Sequence, residues 1–345
     1  MPGTDRITYF GYENCILLEN THTRVVLTES AGRILEYSRK GPNAIYLDPI
    51  QEGETFADGE PTFGPTGGRL DIGPEMIIPA HPDLWLGQWE SVITGPRAAR
   101  LISKKNQPTG VQLIRDFVLD EHSTHLSVTQ TIKNISDSEK HWGHWSRTFG
   151  TGGGIVLVPL TPGSRFPDNY VMYGPGPVIN YHPEDPNIRV RDNFLEVLTT
   201  PLRAKLGMDS QAGWFAYLDK NDLLWVKRYP VYSDRPYGEL AGLTISIWYY
   251  QDQMCELEPI GPKENIQPGG EASFTEDWWL LPYSYPKDGS DLDLKTIDEL
   301  VERHETETRI VVADVDPVGH LAAIVDGDGG EVPGEAPLPA ALARG

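Results

Sequence analysis

From His125 to Lys133 the chain alternates without a break. Leu126, Val128, Gln130 and Ile132 fall on one parity, and His125, Ser127, Thr129 and Thr131 on the other. A period of two marks a β-strand with one face against a core. Turn residues follow in Asn134-Ile135-Ser136-Asp137-Ser138, and a second strand reads from His141 to Phe149. The same grammar recurs along the chain. Ile16–Asn20 and Arg24–Thr28 read as a hairpin across Thr21-His22-Thr23, and Arg33–Tyr37 as a third strand. Later strands are expected at Gly213–Leu218, Leu223–Tyr229, Leu243–Tyr250, Met254–Glu258 and Phe274–Leu281. With 35 glycines and 29 prolines punctuating short β-branched runs, the fold class is all-β. One helix stands out, Leu294 to His304, with Ile297, Leu300 and Val301 at helical spacing.

The 345 residues suffice for a large β domain. We read 1–310 as one domain and 311–345 as a C-terminal extension. From about Gly327 the extension is rich in Gly, Pro and Ala and is expected to be disordered, because it cannot bury enough apolar surface to offset its ordering entropy. Deleting 327–345 should therefore leave the melting temperature unchanged. A formal net charge of -21 argues against nucleic-acid or anionic-membrane partners, which require clustered Lys and Arg. No apolar run reaches membrane-spanning length, and Met1–Tyr12 lacks the basic and apolar regions of a signal peptide. The default compartment is the cytoplasm, or the periplasm or exterior for a chain whose leader has been removed. Two cysteines, Cys15 and Cys255, permit at most one disulfide. The oligomeric state is not legible.

The chemistry concentrates in Met254-Cys255-Glu256-Leu257-Glu258-Pro259. In a strand Glu256 and Glu258 project together, with Leu257 on the other face. A Pro268-Gly269-Gly270 turn is then expected to reverse the chain into the Trp-rich strand Phe274–Leu281. Carboxylates beside aromatic rings are a common way to hold a sugar: carboxylates take hydroxyls and rings take the C–H face. The bland alternative is a pair of acids decorating an exposed face. His144 and Ser146 point together on the His141–Phe149 strand, flanked by Trp145 and Arg147, and a histidine there can serve as a general acid or as a hydrogen-bonded structural group. Gly67-Gly68-Arg69 with Glu75 offers a close backbone approach and a planar fork for hydroxyls, or else an Arg69–Glu75 ion pair pinning the loop. Arg33, opening a strand after Ala31-Gly32, reads either as a structural arginine or as one reaching a cleft. Trp85, Trp89, Trp142 and Trp145 could stack on sugar rings or fill the core. Residues 50–90 and 161–187 are read as irregular cleft walls. No Cys-x-x-Cys, His-Glu-x-x-His, P-loop or Gly-x-Gly-x-x-Gly element occurs, so zinc and nucleotide readings lack support.

Gly32-Arg33-Ile34-Leu35 followed by Gly41-Pro42-Asn43-Ala44-Ile45, and Cys255-Glu256-Leu257-Glu258-Pro259 followed by Pro268-Gly269-Gly270-Glu271, together resemble the galactose mutarotase-like (aldose 1-epimerase-like) superfamily. Gly67-Gly68-Arg69, Gly73-Pro74-Glu75 and Lys205-Leu206-Gly207 look like its DUF4380-type branch. The resemblance spans roughly residues 10–285. It implies a β-supersandwich with the substrate cleft on a concave sheet face and no metal or organic cofactor. It also implies a glutamate base and a histidine acid that interconvert sugar anomers. By motif Glu258 matches the base and His144 the acid, although the context reads Gly143-His144-Trp145-Ser146 where the family has Asn-His-x-Tyr-Phe. Arg69, Glu75, Arg33, His81, Trp145, Arg147, Lys205 and Glu256 are the expected substrate-binding residues. A uronate polysaccharide lyase, with Arg69 or Arg147 neutralising the substrate carboxylate, and a non-catalytic sugar-binding protein are the alternatives.

Overall fold

The computed structural model describes residues 3–56, 66–174, 178–240 and 242–313. The tail from Gly327 lies outside them. The chain divides into two compact units, through Leu292 and from Asp293. The first unit holds two antiparallel sheets. The second begins with a helix, Leu294–Ala313, which runs further than the sequence pattern marks. Among the described residues no helix is long and apolar enough to cross a membrane.

The first sheet has eleven strands in the order Thr4–Tyr9, Tyr12–Glu19, Arg24–Thr28, Arg33–Ser38, Gly68–Gly73, Gly143–Thr151, Met254–Pro259, Ile245–Tyr250, Lys205–Met208, Val171–Tyr173 and Ile179–Asn180. The second has ten: Ile188–Arg191, Phe194–Val197, Ile155–Pro159, Trp214–Leu218, Leu223–Arg228, Glu271–Pro282, Leu126–Asn134, Val111–Leu119, Ala98–Ile102 and Glu90–Gly95. The all-β expectation holds, and the architecture is that of the galactose mutarotase-like fold.

Side chains from both sheets fill one core, including Ile34, Leu70, Ile72, Leu257, Val128, Ile132, Phe274 and Trp278. Alternation on Leu126–Asn134 does what its period requires: Leu126, Val128, Gln130 and Ile132 are buried. The expected hairpin at Thr21–Thr23 forms because the Asn20 side-chain oxygen accepts from the His22 and Thr23 amides, at 2.7 Å each. The interior is also polar. Tyr37 reaches across the sandwich, its hydroxyl proton shared between the Thr124 and Trp278 carbonyls at 2.6 and 3.0 Å, and Arg115 donates to the Gly32 and Gly68 carbonyls at 2.8 Å.

Two expectations change. Met254–Pro259 and Glu271–Pro282 do not form a hairpin, since they lie in different sheets and the Pro-Gly-Gly segment belongs to the crossover between them. The stretch 50–90 is not all loop, because Gly68–Gly73 is an interior strand of the first sheet. Gly67 makes that possible: it sits at φ +73°, and a Cβ there would meet the Ile34 carbonyl oxygen at 2.9 Å. Cys15 and Cys255 are both free and buried.

Candidate functional site

The register of the first sheet assembles the site. Arg147 lies opposite Arg69, Trp145 opposite Asp71, Ser246 opposite Glu258 and Trp248 opposite Glu256. Period-two geometry therefore puts Arg69, Asp71, Trp145, Arg147, Glu256, Glu258 and Ser246 on one face of four adjacent strands. Leu70, Ile72 and Leu257 take the other face, in the core.

Arg147 is the hub. Its Nε donates to Glu256 Oε1 at 2.8 Å and lies 3.8 Å from Glu258 Oε1, while an Nη1 contact of 3.8 Å reaches Asp71. Burial opposes its charge, but Glu256, Glu258 and Asp71 outweigh burial and hold the guanidinium firmly protonated. Trp85 and Trp145 flank the same group, with ring centroids 5.0 and 4.8 Å away. Trp85 also carries Arg69, whose guanidinium carbon is 4.6 Å from its ring. Lys205 closes one end. Its Nζ lies 2.9 Å from Glu75 and over the rings of Trp145 and Tyr173, so the partner of Glu75 here is Lys205 and not the arginine the sequence suggested. At the other end His81 Nε2 meets Asp71 Oδ1 at 2.7 Å and Nδ1 meets the Pro79 carbonyl at 2.7 Å. Burial alone would lower the His81 value, but the hydrogen bond and charge of Asp71 carry it upward, toward imidazolium.

Glu258 is the unusual member. Its side chain is fully buried, and neither carboxylate oxygen has a hydrogen-bond partner in the structure. Burial and the neighbouring Glu256 push its pKa up to about 8, against the pull of Lys205, Arg147 and the Ser246 hydroxyl. A carboxyl poised near neutrality is suited to proton transfer.

The structure separates the two residues that sequence reasoning paired. His144 stands on the opposite face of its strand from Arg147, wholly buried in the interior. Its ring stacks on Phe274 of the second sheet, centroids 5.6 Å apart, and Nε2 donates to the Ala272 carbonyl at 3.1 Å. Burial drives its pKa down to about 4. The structural reading of His144 is the one its position matches. Stability should therefore fall with acid: the neutral ring is favoured fully above the ordinary value of 6.5, and the advantage is lost as pH drops through about 4. A His144→Gln protein keeps a donor to Ala272 and should show a flatter acid limb in its melting curves.

Arg33 is likewise spent on the protein. It donates to the Ser30 carbonyl and hydroxyl and to Tyr12 Oη at 2.7–2.9 Å, pinning the turn before its strand. Trp89 and Trp142 use their indole N–H groups on the Leu84 and Thr109 carbonyls. Sequence reasoning missed Asp71, Ser246, Tyr173 and the buried Glu239, which accepts from the Glu75 amide at 2.9 Å. Asp71 had a signal: it lies two residues after Arg69, the same spacing that paired Glu256 with Glu258.

No family model matches the chain, and no curated protein matches it in sequence. Solved structures do. The Slr1438 protein of Synechocystis sp. PCC 6803 aligns with TM-score 0.53 at 15% identity, over 80% of this chain and 99% of its own. A galactose mutarotase-like protein of Lactobacillus casei aligns with TM-score 0.52 at 14% identity, over 77% and 100%. An Escherichia coli K12 protein described as a candidate aldose 1-epimerase aligns with TM-score 0.50 at 13% identity, over 77% and 98%. At such identities the likeness is one of fold.

Proposed function

We propose that the chain is a carbohydrate-active protein of the aldose 1-epimerase type, with Glu258 as base and His81, in place of His144, as the imidazole acid. The observation that carries this reading is the Glu258 carboxyl, buried beside Arg147 at 3.8 Å with neither oxygen hydrogen-bonded. A buried carboxyl without a hydrogen bond is costly unless a ligand completes it. Trp85, partly exposed at the rim, offers an apolar ring edge to a pyranose, and Arg147, Lys205 and Asp71 offer donors and acceptors to its hydroxyls. In the reaction Glu258 takes the anomeric hydroxyl proton as the ring oxygen takes the Nε2 proton of His81, whose hydrogen bond to Asp71 is released to deliver it. The C1–O5 bond breaks to leave an aldehyde, C1–C2 rotates, and closure returns both protons. Each group ends as it began.

A neutral sugar fits better than a uronate, because Arg147 and Lys205 already face Glu256 and Glu75. NMR exchange spectroscopy across common aldoses, with and without protein, tests the proposal. Catalysed exchange of at least one sugar is expected, with a rate that climbs as Glu258 loses its proton toward about pH 8. His81→Asn should slow it, and His144→Gln should not. If no bound sugar exchanges faster than it does in buffer, the epimerase reading is wrong.

A further inference from the structure

Lys227 is a fully buried lysine in the Leu223–Arg228 strand of the second sheet, and the sugar site does not use it. Its Nζ crosses the interior and donates to the Leu257 carbonyl at 3.1 Å. Leu257 is the residue between Glu256 and Glu258. The same ammonium lies 3.4 Å from Glu276 and 4.5 Å from the Trp278 ring centroid. Glu276 is itself held by Gln130 Nε2 at 2.6 Å and Trp278 Nε1 at 2.8 Å. Arg115 makes a parallel contact, donating to the carbonyl of Gly68, next to Arg69.

A buried lysine needs a reason, because desolvating an ammonium is expensive and an apolar residue of similar volume would fill the space. Here the hydrogen bond lands on one peptide of one strand. In a pleated strand a carbonyl's orientation is tied to the φ and ψ of its neighbours, and so to the directions of the side chains on either side. We infer that Lys227 is a positioning residue for the carboxyl pair: from behind the sheet its ammonium fixes the Leu257 peptide, and with it the spacing and aim of Glu256 and Glu258. It acts through the strand and touches no substrate. The inference rests on the proposed function only in taking Glu258 as the working carboxyl.

Charge adds to geometry. Glu258 faces Glu256, Arg147, Lys205, Ser246 and Tyr173 on its own side of the sheet, while Lys227 faces Glu276 and Arg115 in the interior. The charge of Glu258 also acts on Lys227 across the strand. Burial lowers the lysine to about 8, with Glu276 holding it up.

The test reads carboxyl titration in the free protein, so it stands whether or not any sugar is turned over. Glutamate side-chain carboxyls are labelled with 13C, and the Glu258 resonance is assigned with Glu258→Gln. In Lys227→Met the Glu258 midpoint should move up by about one pH unit. The double variant Lys227→Met/Glu276→Gln removes both members of the buried pair and guards against misfolding from a stranded carboxylate; its two charge effects offset, so any upward move of the midpoint that survives reports the lost hold on the Leu257 peptide. A third readout needs no change at Lys227. In the Glu258→Gln protein the Leu257 carbonyl 13C shift should still titrate as the ammonium loses its proton, with a midpoint somewhat below about 8 because the Glu258 charge no longer supports it. An unmoved Glu258 midpoint in the folded variants, or a flat Leu257 curve, would reduce Lys227 to a core-filling residue and overturn the inference.

Discussion

Glu258→Gln should cut anomer exchange by about a hundredfold or more, the usual scale for removing a positioned acid or base, and should raise stability in alkali. The two effects share one cause. In the folded protein the Glu258 carboxyl holds its proton up to about 8, against an ordinary value of 4.5. A group with a raised folded value favours the fold fully below 4.5, and that advantage is lost as pH rises through about 8. Above that point the wild type carries a buried charge pressed against Glu256. Glutamine keeps the shape and removes the charge. Melting curves of wild type and variant should therefore converge below pH 4.5, diverge as pH rises from there and level off above about 8, the variant melting higher. Equal exchange rates in the two proteins would show that the base lies elsewhere, and parallel melting curves would show that Glu258 does not titrate in this window.

Much of this arrangement was legible in the residues, and what failed did so for a physical reason. Period-two spacing put Glu256 and Glu258 on one face and Leu257 on the other, and it grouped His144 with Ser146. Spacing yields parity, however, and does not say which parity faces the core. On Gly143–Thr151 both faces carry polar side chains: His144, Ser146 and Thr148 toward the interior, Arg147 toward the site. An interior that itself holds Arg115, Lys227 and Glu276 removes the contrast on which inside–outside assignment depends. The false hairpin has a similar origin. Turn chemistry at Pro268-Gly269-Gly270 says that the chain turns, and the sheet it enters afterwards is decided by pairing with Leu126–Asn134, far away in sequence.

Arg147→Met should be the most destabilising single change at the site. One guanidinium serves Glu256 at 2.8 Å, and Glu258 and Asp71 at 3.8 Å each, and all three carboxyl side chains are almost wholly buried. Methionine fills most of the volume between Trp85 and Trp145 but removes the one cation the three acids share, leaving Lys205, Arg69 and His81 at the margins. Breaking a buried ion pair by removing one partner costs about 3–5 kcal/mol. The loss should depend on pH in a defined direction. The carboxyls relieve their repulsion by taking up protons, so the deficit should be smallest in acid and grow as pH rises. Arg147→Lys should recover only part of the stability, because a point charge cannot reproduce the planar fork that reaches several carboxylates at once. Urea unfolding at several pH values measures each term. A deficit independent of pH would mean that Arg147 stabilises by packing between the two indoles alone, and the carboxylate hub would have to be abandoned.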